Sequence, residues 1–395
     1  MKIDPSSRRR RHRRLLLLGS LVVVLSSATA LALGAHRIEV EQAAYSTPSA
    51  GRCTPTLLNR SAVLPNTSLA VNPLPGSYDA LPRTQVSLLG APAGAISQLT
   101  VSGSTSGRHS GSLRAYSQAD GASFVPSAPF VSGETVTVKG QVSSGGHALP
   151  FSFQFAVARA DVLPHPPSLH PSRDYNEKLH YYSRRDLEPP LVTVTARSAS
   201  SAPGYIFTAP YNGPGRAGPM IFDEAGNLVW FAPAPPEDAA ANLQVQTYQG
   251  KPVLTYWQGY IPPQGFGMGE EIVLDSSYRT IGRVHAGNGY ITDLHDFHIT
   301  PQGTAVLTSF QPVDCDLSSV GGPHGGAVTD TIYQEVDLAT GLVRREWHPL
   351  DHLPLSASYS NAVITTKSWP FDYFHINSID QRPNGTTLIS ARNTW

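Results

Sequence analysis

Cysteine and methionine are scarce in this sequence, with two and three residues respectively among 395. Two cysteines this far apart exclude a CxxC redox pair and a cysteine zinc site, both of which need ligands at short spacing. Cys53 and Cys315 leave two readings open. They form one disulfide in an exported chain, or they stay as two thiols, because spacing alone does not set bridge geometry. Charge is sparse as well: 15% of residues are charged, with acids and bases balanced at 29 each. That balance excludes the basic footprint of a nucleic-acid-binding protein. A phosphate-binding loop is also missing. The glycine run around His324 (Val320–Gly326, VGGPHGG) lacks the Lys-Ser/Thr such a loop needs and precedes no helix.

What is present begins with an asymmetric start. Lys2, Arg8–Arg11, Arg13 and Arg14 all precede residue 15, so the remainder is mildly acidic. Leu15–Ala35 follows without a charge. A positive segment before an apolar core is an export signal, with the arginines held in the cytoplasm. Residues 1–35 are therefore read as a cleaved signal peptide or as a retained signal anchor that ties the protein to the membrane. Ala28-Thr29-Ala30 and Ala30-Leu31-Ala32 are the small-residue sites where cleavage would follow. Residues 36–53 read as a polar stalk.

From 54 to 160, short β-forming runs alternate with Gly, Ser and Pro. Thr135–Val138 and Phe151–Phe155 alternate at period two, the mark of half-buried strands. The spacing predicts a small N-terminal β-sandwich, and Phe124–Val138 resembles the end of a bacterial immunoglobulin-like module, which implies an immunoglobulin-like β-sandwich. His109 and His147 fall in its Gly/Ser loops and are expected to be exposed. Residues 161–190 form a linker, stiffened by Leu163-Pro-His-Pro-Pro167.

After Pro190 a turn-plus-strand unit recurs: Asp223–Trp230, Gly250–Trp257, Thr300–Leu307 and Arg382–Ile389. Sheet units repeating at roughly fifty to seventy residues suggest propeller blades. No amphipathic helix of useful length interrupts them. The units run from Leu191 to Pro233, Asn242 to Ala286 and Asp293 to Leu353, with a fourth begun at Trp369. The chain stops within that fourth unit, so 191–395 is expected to be an incomplete propeller, a fragment inactive as it stands.

The last stretch, Trp369–Trp395, reads as two strands joined at Pro383-Asn384-Gly385. Residues two apart on a strand share a face, so His375 and Asn377 are expected to project together while Arg392 returns across the hairpin. Imidazole, amide and guanidinium converging on one side suit a sulfate or phosphate ester. The plainer reading is that His375 and Asn377 cap backbone groups and Arg392 pairs with a surface carboxylate. The repeat shifts that balance. Asp293-Leu294-His295 and Asp372–His375 match in type and position, which places His295 and His375 as neighbours around one axis. His295-x-x-His298 spaces two potential metal ligands, but residues three apart on a strand face opposite sides, which argues against shared ligation.

These residues also carry a resemblance. The stretches Pro203–Phe207, Asp223–Trp230, His295-Asp296-Phe297, Asp316–Gly322, Gln334–Asp337, Phe374–Ile379 and Ser390–Trp395 together resemble the arylsulfotransferase family that uses an aryl sulfate as donor. The resemblance implies a six-bladed β-propeller and sulfuryl transfer from an aryl sulfate to a phenol. It matches His375, Asn377 and Arg392 to family residues, and His295 more loosely to a channel histidine. Arg392 and Asn377 would bind the sulfuryl oxygens, His375 the ester oxygen, and His295 the acceptor phenol. No residue matches the family's nucleophilic histidine. Neither a cofactor nor a metal is implied. The competing reading is a non-catalytic extracellular propeller that binds aromatic or glycan ligands through Trp257, Tyr260, Trp369 and Tyr373.

Overall fold

Alternation of apolar and polar residues sets the first half of the fold. In Thr135–Ser144, Val136, Val138 and Val142 point inward, and in His147–Ala156, Phe151, Phe153 and Phe155 do the same. The computed structural model describes residues 51–163, 175–382 and 386–394. The expected signal segment, most of the stalk and of the linker's proline run, the 383–385 turn and Trp395 lie outside the described residues. Those described fall in one unit, Ser46–Trp395. They are all-β, with antiparallel sheets, short 3-10 turns and no α-helix among them.

Eight strands come first: β1 (Ala70–Asn72), β2 (Val86–Leu89), β3 (Ile96–Gly103), β4 (Gly107–Arg108), β5 (Gly111–Ala115), β6 (Gly121–Pro126), β7 (Thr135–Ser144) and β8 (His147–Ala156). They form two four-stranded sheets, ordered β1-β2-β6-β5 and β4-β3-β7-β8. One apolar core joins the two, with Val86, Leu88 and Phe124 from one sheet meeting Val136, Val138 and Phe155 from the other.

Next come β9 (Tyr205–Thr208), β10 (Met220–Asp223), β11 (Leu228–Phe231), β12 (Ala239–Tyr248), β13 (Lys251–Tyr260), β14 (Met268–Leu274) and β15 (Thr280–Val284). The last set is β16 (Thr292–Ile299), β17 (Thr304–Cys315), β18 (Gly326–Asp337), β19 (Val343–Trp347), β20 (Ile376–Gln381) and β21 (Thr387–Ala391). β9–β11 make a three-stranded sheet and β20–β21 a two-stranded one. β12–β15 and β16–β19 are two four-stranded meanders, joined between β14 and β16 by the single pairing Gly269↔Thr292. The recurring turns carry the expected chemistry. Gly226 takes φ +84° and Gly303 φ +78°, a region glycine enters without steric cost. Asp223 Oδ1 accepts from the backbone N–H of Ala225 and Asn227, closing the first of these turns.

Successive units pack face to face. Ile221 meets Ala240, Tyr256 and Ile272 at the first contact. Val253 and Val273 meet Phe297, Leu307 and Val336 at the second. Val306, Val313 and Val328 meet Ile376 and Ile379 at the third. β17 is buried along almost its whole length because its two faces meet different cores, Ala305 and Leu307 on one side and Val306 on the other. A strand covered on both sides reads as a continuous apolar run.

The two cysteines form a disulfide between Cys53 and Cys315, with Cα atoms 5.1 Å apart. The residues before 160 also dock on the later strands. Ser87 Oγ donates to Arg344 O (2.6 Å), and Tyr116 Oη to Val343 O (2.8 Å). His109 is half-buried rather than exposed, because its ring lies against Phe130 with centroids 4.4 Å apart. His147 is exposed as expected.

Candidate functional site

β16 opens on Thr292-Asp293-Leu294-His295, and its register against β17 shifts between Thr292 and Phe297. That irregularity frees the backbone around His295 from the ladder. Asp293 fixes the local structure. Its Oδ1 accepts from the Gly267 N–H, and its Oδ2 accepts from the His295 N–H (2.8 Å) and the Thr308 hydroxyl (2.9 Å). The same Oδ2 lies 2.8 Å from His295 Nδ1. Phe310 of β17 stacks on the His295 ring at 5.1 Å, and Phe266 stacks behind Phe310 at 5.3 Å.

His375 arrives from the other side. It precedes β20 and takes φ +59°, a region that costs a non-glycine residue of order 1–3 kcal/mol and persists only where the surroundings hold it. Here they do. Its carbonyl accepts from the Arg392 N–H (2.9 Å), and Asp372 Oδ2 holds its Nδ1 at 2.5 Å. Asn393 anchors this segment through Nδ2 to Asp372 O (2.7 Å). The two imidazoles meet edge to face with Nε2 atoms 3.3 Å apart. The centre is thus a carboxylate–imidazole–imidazole–carboxylate chain. Each Nδ1 is held by an aspartate, so the Nε2 atoms are left to share a proton or present it to a third group.

The electrostatics follow from burial and pairing. Burial pushes the His295 pKa down, but the hydrogen bond and charge of Asp293, aided by Asp372, outweigh it and hold the pKa above the ordinary value. Asp293 is also buried, which alone would raise it, yet its donors and the His295 charge hold it below the usual carboxylate range. Burial pushes the Glu271 pKa well up, with Asp293 and Asp296 adding to it.

Beside the pair lies a cavity of about 320 Å³, lined among others by Phe266, Thr329, Trp369, Asp372, His375 and Arg392. The size suits a small ligand. The Arg392 guanidinium makes no hydrogen bond or ion pair among the described residues and is exposed at this mouth.

Three of the four expected site residues are therefore brought together: His295, His375 and Arg392. Asn377 is not. It is exposed on β20, at the point where the register against β21 shifts between Ile376 and Ser378. Strand alternation cannot relate it to His375, because His375 stands before the strand in a left-handed conformation. His298 turns away from His295 and pairs with Asp296 Oδ1 at 2.9 Å. Trp257 and Tyr373, considered as ligand-facing aromatics, are core residues at 0% exposure, with Trp257 Nε1 donating to Thr292 O (3.0 Å). Of the aromatics considered, Trp369 lines the cavity. Asp293, Asp372 and Phe310 were given no role from sequence. The aspartates were visible as the shared Asp-before-His pattern of the two repeats, whereas Phe310 had no local signal.

Residues 244–395 match the model of the family described as Arylsulfotransferase (ASST). That match contains His295, His375 and Arg392. No curated protein matches the chain. Among solved structures, the chain is similar to the cycloalternan-forming enzyme from Listeria monocytogenes in complex with pentasaccharide substrate. That pair shares 9% identity, covers 62% of this chain and 21% of that one, and has a TM-score of 0.17. An uncharacterized protein from Listeria monocytogenes EGD-e in complex with alpha-D-glucose, beta-D-glucose, magnesium and calcium gives 10% identity, the same coverage and a TM-score of 0.17. The chain spans about a fifth of the length of these structures, and likeness this low does not speak to their fold or activity.

Proposed function

We propose that this chain is an exported arylsulfotransferase-like protein whose His295–His375–Arg392 site binds an aryl sulfate and passes its sulfuryl group to a phenol. The observation that carries this reading is the meeting of two aspartate-held imidazoles, Nε2 to Nε2 at 3.3 Å, beside a cavity that Arg392 lines. As the sulfur–oxygen ester bond breaks, negative charge grows on the sulfuryl oxygens and on the departing phenolate. Arg392 is suited to the first, as a fixed-charge fork of donors. A protonated Nε2 of the pair is suited to the second, and the neutral partner ring can take the proton of the acceptor phenol. The match of residues 244–395 to the arylsulfotransferase family model supports the substrate class.

The architecture belongs to the same proposal. The packed units 205–231, 239–284 and 292–347 are read as propeller blades, with 376–391 part of another, and residues 54–160 as an immunoglobulin-like sandwich before them. Export is supported by the Arg-rich start with its apolar run and by the Cys53–Cys315 disulfide. Among the described residues no helix is long and apolar enough to cross a membrane. Membrane attachment therefore rests on residues 15–35 alone.

A second reading, ligand binding without turnover, is favoured by the aromatic lining from Phe266 and Trp369. One assay separates the two. A chromogenic aryl sulfate is offered with a phenol acceptor, and release of the coloured phenol is followed beside binding measured by calorimetry. Transfer that disappears in His375→Ala supports the enzyme. Binding of the ester without transfer supports the module, and neither result would reject the site.

A further inference from the structure

Away from the histidine pair, a second set of polar groups is fully enclosed. Asp79 lies in the segment before β2, Asp330 on β18, and His348 and Asp351 just after β19. Their exposures are 1%, 0%, 5% and 2%. His348 Nδ1 lies 2.7 Å from Asp330 Oδ2 and 3.8 Å from Asp79 Oδ2. Its Nε2 lies 2.9 Å from Glu346 Oε2. Glu346 is itself fixed at Oε1 by Gln334 Nε2 (3.0 Å) and by the Asn288 amide.

Three carboxylate oxygens in this set, Asp79 Oδ2, Asp330 Oδ1 and Asp351 Oδ1, are buried and have no hydrogen-bond partner among the described residues. Among the described residues His348 is the basic side chain paired with these acids. Four carboxyl groups around one imidazole leave an excess of negative charge in a dry interior, and such charge must be neutralised by protons or by a cation. One ligand atom from each of Asp79, Asp330 and His348 lies within 4.8 Å of the others. Donors bound at roughly 2.0–2.4 Å to one ion lie no farther apart than about 4.8 Å.

We propose that Asp79, Asp330 and His348 bind one divalent cation, with Asp351 as a further oxygen donor. Glu346 then acts as the positioning residue. By accepting the Nε2–H it leaves His348 Nδ1 facing the ion, the arrangement that metal-binding histidines commonly take. Carboxylate oxygens favour Mn2+, Mg2+ and Ca2+, while imidazole favours Zn2+ and its neighbours. A mixed set of this kind points to Mn2+ or Zn2+. The ion would be structural, because the site is closed on all sides and ties Asp79, from the first half of the chain, to the end of the β18–β19 hairpin.

The test uses the full chain. Metal content is measured by mass spectrometry after expression with Mn2+ and Zn2+ in the medium, and again after refolding from urea with chelator. About one equivalent of ion per chain is expected before chelation. Refolding with the ion at about 100 times its Kd should raise Tm by about 5 °C over refolding in chelator. Glu346→Gln should weaken the ion's affinity about 10–100-fold, a change that loss of packing alone would not produce. Asp330→Asn should abolish binding. If Asp330→Asn fails to fold, terbium luminescence of the unaltered chain, sensitised by Tyr290 beside His348 (ring centroids 6.0 Å apart), reports the site instead. A metal-free chain whose Tm is unmoved by Mn2+ and Zn2+, and which gives no sensitised terbium emission, would overturn the proposal and leave a proton-neutralised cluster.

Discussion

The proton on His295 is set by its neighbours. Asp293 and Asp372 raise the pKa, while burial and Arg392 oppose them. The folded value thus lies above the ordinary histidine value of about 6.5. The charged ring therefore stabilises the fold fully below about pH 6.5, and that contribution fades as pH rises through the raised pKa. An NMR titration should place the His295 midpoint above 6.5, and Asp293→Asn should lower it; a midpoint unmoved by that change would assign the shift elsewhere. Arg392→Ala should reduce sulfuryl transfer about 10²–10³-fold with little change in stability, as expected for an exposed charge-stabilising donor, and parent-rate transfer would remove Arg392 from the site. Two site histidines were legible because the repeat duplicates an aspartate ahead of each. Asn377 was misplaced because alternation assumes an unbroken strand, and one residue at φ +59° breaks it.

At the level of elements, the site depends on where β20 docks. Ile379 N–H donates to Asp296 Oδ2 at 2.7 Å, and Asp296 also holds His298 and the Phe297 N–H. This buried carboxylate pins β20 against β16, the two elements that deliver the histidines. Asp296→Ala should cost about 1–3 kcal/mol for the donors left unpaired. It should also speed hydrogen exchange at Ile379 and along β20–β21 relative to β17–β18, and unchanged exchange there would mean that the hairpin is held by its apolar contacts alone. Turn glycines made the units countable from sequence, and period-two patterning located part of β7 and β8 but not the far end of β7 or the start of β8. The start of β20 was not legible. Tyr373 and Phe374 are strong β-formers, but both are spent as core residues before the strand begins, at 0% and 5% exposure. Local propensity cannot distinguish a buried loop aromatic from a strand aromatic.

At the scale of the molecule, the two halves of the chain should unfold together, and this was the least legible property of all. Nothing local in Asp120 or Ser117 marks a partner more than two hundred residues away. Yet Ser117 donates to Asp337 through both its N–H and its hydroxyl, each at 2.8 Å. Arg344 is 5% exposed and grips Asp120 through two parallel hydrogen bonds of 2.9 and 2.7 Å, with Nε on Glu335 at 3.2 Å. The Cys53–Cys315 bridge adds a covalent tie across 262 residues. Removing Arg344 leaves Glu335 with the more distant Arg345 (3.8 Å) and breaks the fork to Asp120. Losing one partner of a buried pair costs about 3–5 kcal/mol, and the exposure of Asp120 places Arg344→Met at the lower end. Reducing the disulfide should cost about 2–4 kcal/mol. The disulfide and Arg344 share no partner, so their effects should add. Calorimetry of the unaltered chain should show one transition. Arg344→Met under reducing conditions should show either two transitions, as the sheets of β1–β8 separate from the rest, or one at a clearly lower temperature. Two transitions already present in the unaltered, oxidised chain would show that these ties do not couple the halves.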